Sequence, residues 1–180
     1  MHGTEAASPW VQRWSHLVTA GGTVLDVACG RGRHLRWFHD HGHPVVGVDR
    51  DAQALADLAT LGRMVCADIE GAGPWPFAAE QFAGVVVTNY LWRPLLPAIV
   101  QAVAPGGTLI YETFAAGNET VGKPARPDFL LQPGELLRAC ADLRIVAFED
   151  GFIADPARFV QRIAAVRPGG PEPVPRHRLV

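Results

Sequence analysis

Short apolar runs alternate with segments whose apolar residues fall at helical spacing, an order that predicts strands feeding helices and a parallel sheet. Residues 23–28 (TVLDVA) read as a short buried strand. Residues 31–40 read as a helix, with Leu35 and Phe38 three apart on one face and Gly42 as its stop. A second strand at 44–49 (PVVGVD) is followed by a helix at 51–60, with Leu55, Ala56, Leu58 and Ala59 expected to face inward. Residues 63–67 form a third strand, and the stretch 71–79 is turn-rich around Pro74 and Pro76. Residues 82–88 (FAGVVVT) are almost continuously apolar, which suits a central strand covered on both faces.

The pattern continues with a helix at 94–103, whose Pro94 and Pro97 belong in its first turn. Pro105-Gly106-Gly107 reads as a turn and 108–114 as a fifth strand. Residues 115–131 form a polar loop long enough to expect a function. A short helix at 133–141 and strands at 144–149 and 158–166 follow. At the front, residues 10–18 look like an added helix, with Ser8 as cap and Pro9 at the first position; its Trp10 and Trp14 share a face that either packs into the core or makes the helix a lid. The end, 169–180, is Pro-rich without periodicity and reads as a disordered tail behind a single domain at 1–168.

Composition narrows the class. A chain of 180 residues, 48% hydrophobic, fits one domain with a sizeable core. A formal charge of −2 gives no electrostatic reason to expect nucleic acid or an anionic membrane as partner. No apolar run reaches the roughly 18 to 20 residues of a membrane helix. Residues 1–9 lack the order of a signal peptide. Cys29, Cys66 and Cys140 are widely spaced, with no CxxC, so a disulfide framework or zinc site is not expected and a reducing cytoplasm is. His39, His41 and His43 straddle a helix end and a glycine turn with no Cys or carboxylate spaced to complete a metal site.

The chemistry gathers at strand ends. Gly30-x-Gly32 lies between the first strand and its helix, where the chain must turn tightly and let a ligand approach the backbone. Leu35 stands where a dinucleotide pattern has its third glycine, which counts against NAD or FAD. Asp26, Asp49 and Asp68 close three successive strands, and a parallel sheet brings such residues to one crevice. Asp49 is placed to accept from ribose hydroxyls and Asp68 from an adenine amino group. Asp26 is placed to meet a cationic methionine end, directly or through water, or to hold the loop in shape.

The run V-L-D-V-A-C-G-R-G at 24–32 resembles motif I of the class I S-adenosylmethionine-dependent methyltransferases. V-V-G-V-D, C-A-D-I-E, F-A-G-V-V-V-T-N-Y-L and A-P-G-G-T-L-I-Y-E follow in that family's order, and R-G-R-H is similar to small tellurite-resistance-like members. The resemblance implies a Rossmann-like α/β domain with a seven-stranded sheet, order 3-2-1-4-5-7-6, the last strand antiparallel. It implies S-adenosyl-L-methionine as cofactor, with Asp26, Ala28, Gly30 and Gly32 along the methionine, Asp49 at the ribose, Asp68 and Ile69 at the adenine, and Asn89 and Tyr90 near the methyl group. Arg33 and Arg50 complete the cofactor candidates.

The acceptor side is less marked. The strand ending Thr88-Asn89-Tyr90-Leu91 lacks the N/D-P-P-Y/F pattern of methylation at planar nitrogens. Candidates for the substrate pocket are Trp10, Trp14, Arg93, Phe114, Asn118 and Glu119, with Lys123 and Arg126 for an anionic substrate. His34, Asn89 and Tyr90 are the catalytic candidates; His34 is either a base or a hydrogen-bonding prop for the loop. The expectation is a methyltransferase acting on a small molecule. The rivals are a non-catalytic binder of S-adenosylmethionine or S-adenosylhomocysteine and an RNA methyltransferase, the latter if Arg31, Arg33, Arg36, Arg50 and Arg63 gather at one cleft mouth.

Overall fold

The structure is a computed structural model that describes residues 6–170 and 173–179. The leader reading of residues 1–5, and the tail reading at 171, 172 and 180, lie outside the described residues. Among these, one seven-stranded sheet has the order β3-β2-β1-β4-β5-β7-β6. Its strands are β1 (Val24–Val27), β2 (Val45–Asp49), β3 (Arg63–Cys66), β4 (Phe82–Thr88), β5 (Val103–Phe114), β6 (Arg144–Ala154) and β7 (Ala157–Val166). The first five run parallel, and β7 is antiparallel to both β5 and β6. The central place expected for 82–88 is that of β4.

Alternation along each strand sends side chains to two apolar layers. One layer holds Val24, Val45, Val86, Ile110 and Ala164 under α1 (Pro9–Trp14), α2 (Arg33–Asp40) and α3 (Ala52–Ala56). The other holds Leu25, Val48, Val85, Leu109 and Ile163 under α4 (Leu96–Gln101) and α5 (Glu135–Ala139). α1 begins as expected, with Pro9 in its first turn and the Ser8 hydroxyl accepting from Trp10 N–H. Leu35 and Phe38 bury the inner face of α2.

Several local expectations change; the helix expected at 10–18 ends at Trp14, with a 3-10 turn, Ser15–Leu17, after it. The helix after β2 ends at Ala56, so Leu55 and Leu58 are buried while Ala56 and Ala59 face solvent. The segment 94–103 splits into a 3-10 turn, Arg93–Leu95, and α4, and Val103 already belongs to β5. Pro105-Gly106-Gly107 does turn, but inside that strand. Val103 pairs with Phe82 and Thr108 with Gly84, so the residues between them bulge out and the ladder resumes. The stretch 173–179 has no helix or strand, and the Arg178 carbonyl lies 2.9 Å from His16 Nε2. No described helix is long and apolar enough to cross a membrane.

Two contacts fix the carboxyl side of the sheet. At the start of α2, Gly32 has φ +73°, and a Cβ there would lie 2.6 Å from a Leu58 methyl. Across the sheet, Arg93 clamps the long loop. It pairs with Glu135 at 2.8 Å and donates to the carbonyls of Asp128 and Leu130. Burial alone would raise the Glu135 carboxyl, but the hydrogen bonds from Arg93 and from Gln132 N–H outweigh it and hold it below its usual value.

Gly32→Ala is expected to lose about 2–4 kcal/mol, the sum of left-handed strain and overpacking, measured by urea unfolding. Arg93→Ala is expected to cost about 2 kcal/mol, because two carbonyls and a carboxylate lose their donor. Glu135's pKa is lowered on folding, so its contribution is complete above the unfolded value of 4.5 and fades as pH falls through the lower folded value. The stability gap between wild type and Arg93→Ala should therefore narrow below pH 4.5, and a gap constant down to acid unfolding would refute the assignment.

Candidate functional site

The parallel strands β1, β2, β3 and β4 deliver their carboxyl ends side by side, where ligands of open α/β sheets bind. At the end of β1 the chain turns through Ala28 (φ 53°), Gly30 (φ 51°) and Gly32 (φ 73°). Gly32 N–H closes this turn on Cys29 O at 2.9 Å. A Cβ at Gly30 would meet nothing within 4 Å, so the backbone there faces open space. Left-handed backbone costs a residue with a Cβ about 1–2 kcal/mol, yet Ala28 adopts it. Asn89 does the same at φ 54° at the end of neighbouring β4. Strained backbone at two adjacent strand ends, both on the cleft, fits a ligand site.

Asp49 organises this edge. Its Oδ2 accepts from Gly30 N–H at 2.8 Å and its Oδ1 from Asp51 N–H at 2.9 Å. An ionised carboxylate has about four acceptor positions, so about two remain. Asp51 in turn caps α3 through Gln53 and Ala54 N–H. Asp68, just past β3, is exposed and accepts from Glu70 N–H at 3.1 Å; Ile69 beside it is half-buried. Asp26 lies one position before the end of β1 and is only 2% exposed. Its Oδ2 is buried with no hydrogen-bond partner.

Tyr90 joins these groups from β4. Burial, then the carboxylates of Glu70 and Asp68, push its phenol up, while Arg50 opposes them. Residues 50, 68, 70 and 90 thus share one neighbourhood; Glu70 is the member that sequence reasoning missed. The Tyr90 carbonyl accepts from the buried Tyr111 hydroxyl at 2.7 Å. Cys29, in the loop, is pushed up by burial and then by the charges of Asp26 and Asp49. Burial pushes Cys140 up to about 12, whereas Cys66 at the end of β3 is exposed.

Other candidates have structural duties. Trp10 and Trp14 are both 2% exposed and pack into the apolar layer beneath α1. Asn118 is buried, donating to Pro124 O and accepting from Phe159 N–H. Arg93 forms the clamp already described, and Arg126 pairs with Asp128. His34 Nε2 accepts from Ser8 N–H at 3.2 Å, and the ring is 2% exposed, so its observed bond reaches the cap of α1 instead of the glycine loop it was expected to prop. Phe114 is half-buried and Glu119 exposed at the rim, with Glu119 accepting from Gly117 N–H. Arg33 is half-buried. Arg63 starts β3, at the far end of the sheet from Arg50, so the five arginines do not gather at one mouth. Glu112 and Arg162 pair across β5 and β7 at 3.1 Å; the only hint in the sequence was a charge within the apolar run L-I-Y-E-T-F.

A family model described as a methyltransferase domain matches residues 24–107. The chain is 35% identical over 114 residues to a ubiquinone biosynthesis O-methyltransferase of Paraburkholderia phytofirmans, covering 58% of this chain and 48% of that protein. It is 36% identical over 104 residues to a malonyl-[acyl-carrier protein] O-methyltransferase of Enterobacter lignolyticus, covering 53% and 40%. The chain spans about half the length of the curated relatives it matches, or less. Among solved structures, TehB from Haemophilus influenzae superposes with a TM-score of 0.70 at 18% identity, over 89% of this chain and 62% of that one. An S-adenosylmethionine-dependent methyltransferase from Mesorhizobium loti gives 0.70 at 18%, over 92% and 100%. Residues 24–107, a little under half of the chain, thus match the model of a methyltransferase domain, and the chain has the fold of class I S-adenosylmethionine-dependent methyltransferases, a match and a fold that imply S-adenosylmethionine as cofactor.

Proposed function

We propose that this chain transfers the methyl group of S-adenosylmethionine to an oxygen of a small-molecule acceptor. The carrying observation is the edge formed by Gly30, Asp49, Asp68 and Asn89, four strand ends with open backbone at Gly30 and spare acceptor capacity at Asp49. The residues fit the cofactor: a carboxylate for the ribose hydroxyls, a second for an adenine amino group, and an unpartnered buried oxygen at Asp26 behind the methionine end. The oxygen acceptor is supported by the names of the two curated relatives and by the absence of the planar-nitrogen pattern after β4.

The cofactor supplies an activated methyl on a sulfonium, so the protein's work is binding and alignment. Asp49 would hold the ribose while keeping Gly30 in place. Gly30 and Gly32, with Ala28, would let the methionine lie against backbone, and Arg33 and Arg50 would flank it. Asp68 and Ile69 would receive the adenine, one by hydrogen bonding and one by apolar contact. Asn89 and Tyr90 would border the methyl, and Phe114 and Glu119 the acceptor. A half-buried tyrosine whose phenol is pushed up keeps its proton at neutral pH, so Tyr90 would act as a hydrogen-bond donor rather than a base.

Calorimetry with S-adenosylhomocysteine tests the cofactor half. Asp49→Ala is expected to weaken binding by about 1.5–3 kcal/mol, the worth of hydrogen bonds to a charged group, and unchanged affinity in a folded variant would move the ribose elsewhere. Mass spectrometry of hydroxyl- and carboxyl-bearing metabolites incubated with S-adenosylmethionine tests the acceptor half. One added methyl on an oxygen is expected; binding with no product across the panel would favour a non-catalytic binder. Tight NAD binding with no response to S-adenosylhomocysteine would overturn both halves.

A further inference from the structure

Behind the loop at the end of β1, four polar side chains from distant parts of the chain are buried together. Asp26 and His34 are each 2% exposed, Ser8 is 4% and Glu112 is 5%. Groups of this kind are costly to bury unless they satisfy one another. Three hydrogen bonds and one longer polar contact form a line. Arg162 donates to Glu112 Oε2 at 3.1 Å, and the Ser8 hydroxyl donates to Glu112 Oε1 at 2.6 Å. The Ser8 backbone N–H donates to His34 Nε2 at 3.2 Å. A ring nitrogen that accepts carries no proton, so the neutral ring holds its proton on Nδ1. That Nδ1 lies 3.7 Å from Asp26 Oδ2, the buried oxygen with no hydrogen-bond partner.

The line therefore starts at the cap of α1 and ends on the strand that leads into the glycine turn. We propose that Ser8 and His34 are positioning residues for the cofactor loop. The Ser8 amide fixes His34 as its Nδ1–H tautomer, and that N–H faces the Asp26 carboxylate at 3.7 Å, beyond hydrogen-bond length, and steadies it electrostatically behind the loop, so docking of the N-terminal helix and cofactor affinity are coupled. This rests on the reading of the loop as the S-adenosylmethionine site. Coupling between two equilibria is reciprocal, so the bound cofactor must also tighten the Ser8 contact.

Two substitutions separate the links. Asparagine places its amide near the position of the histidine Nδ1, and glutamine near that of Nε2. His34→Gln thus keeps an acceptor for Ser8 and gives up the donor to Asp26. His34→Asn keeps that donor and gives up the Ser8 bond. A side chain that only tethered the N-terminal helix would be rescued by glutamine.

The experiment combines nitrogen-15 NMR of His34, amide hydrogen exchange at Ser8 and calorimetry with S-adenosylhomocysteine. In wild type, the Nδ1–H tautomer and a roughly tenfold slowing of Ser8 exchange on saturation are expected, a factor typical of coupling between sites. His34→Gln should keep Ser8 protected without ligand yet bind about tenfold more weakly, and His34→Asn should bind while its Ser8 exchange ignores the ligand. An Nε2–H tautomer, ligand-indifferent Ser8 exchange in wild type, or full affinity in His34→Gln overturns the proposal. The two wild-type measurements need no variant to fold. If wild type does not bind S-adenosylhomocysteine, the cofactor reading falls and this proposal with it; binding with indifferent Ser8 exchange overturns this proposal alone.

Discussion

The Asp49 carboxylate ties the end of β2 to the loop that follows β1, and the geometry of the cleft hangs on that tie. Gly30 N–H reaches one of its oxygens and Asp51 N–H the other. The Asp49 carbonyl also accepts from Ala67 N–H, so the chain leaving β3 is gathered to the same point. One residue thus sets the relative height of three strand ends. Its side chain is spent on two backbone donors, and about two of its acceptor positions stay unused. A residue that joins three backbone segments at once leaves little freedom for substitution.

The two sides of the sheet stabilise this edge differently. On the side of α1 and α2 the contacts are apolar near the middle and become polar toward the carboxyl end, where Ser8, His34, Glu112 and Arg162 satisfy one another. Arg162 also stacks 4.8 Å above the Trp10 ring, so the polar group and the apolar layer share a boundary. On the other side the long loop after β5 is held by Arg93 and Glu135 and by the Asn118 amide. Order in that loop comes from directed hydrogen bonds along its length and from apolar burial at its ends, where Ala115, Leu130 and Leu131 are buried. Val121 and Phe129 remain exposed on it.

The parallel half of the sheet was legible because its strands are short, apolar and followed by turn residues. Asp49 and Asp68 stood out for a related reason: a carboxylate at the end of an apolar run has nowhere to go but the edge; Asp26, one position earlier in its strand, is buried instead. The reading erred where chain-distant contacts decide. Pro105-Gly106-Gly107 has the chemistry of a turn and makes one, but pairing with β4 reclaims the residues before it into the same strand. Ala56 and Ala59 fit a helical face, but the helix unwinds before that face is built. Arg93 and Asn118 read as candidates for a substrate pocket. Their partners lie 42 and 41 residues away, a separation that no local pattern encodes. Glu112 and Arg162 were hidden in the same way, 50 residues apart.

The three thiols differ in a way that reaches beyond the cleft. Thiolates, not thiols, react with oxidants and electrophiles. Cys29 and Cys140 are buried and held protonated, while Cys66 is exposed at the end of β3, its sulfur 3.8 Å from the Arg50 carbonyl. The molecule therefore sorts its own sulfur chemistry. A thiol-directed label arriving from solvent would land on the rim beside Asp49 and leave the cores of both layers untouched, so the folded protein offers a single thiol address, at the carboxyl edge of its sheet.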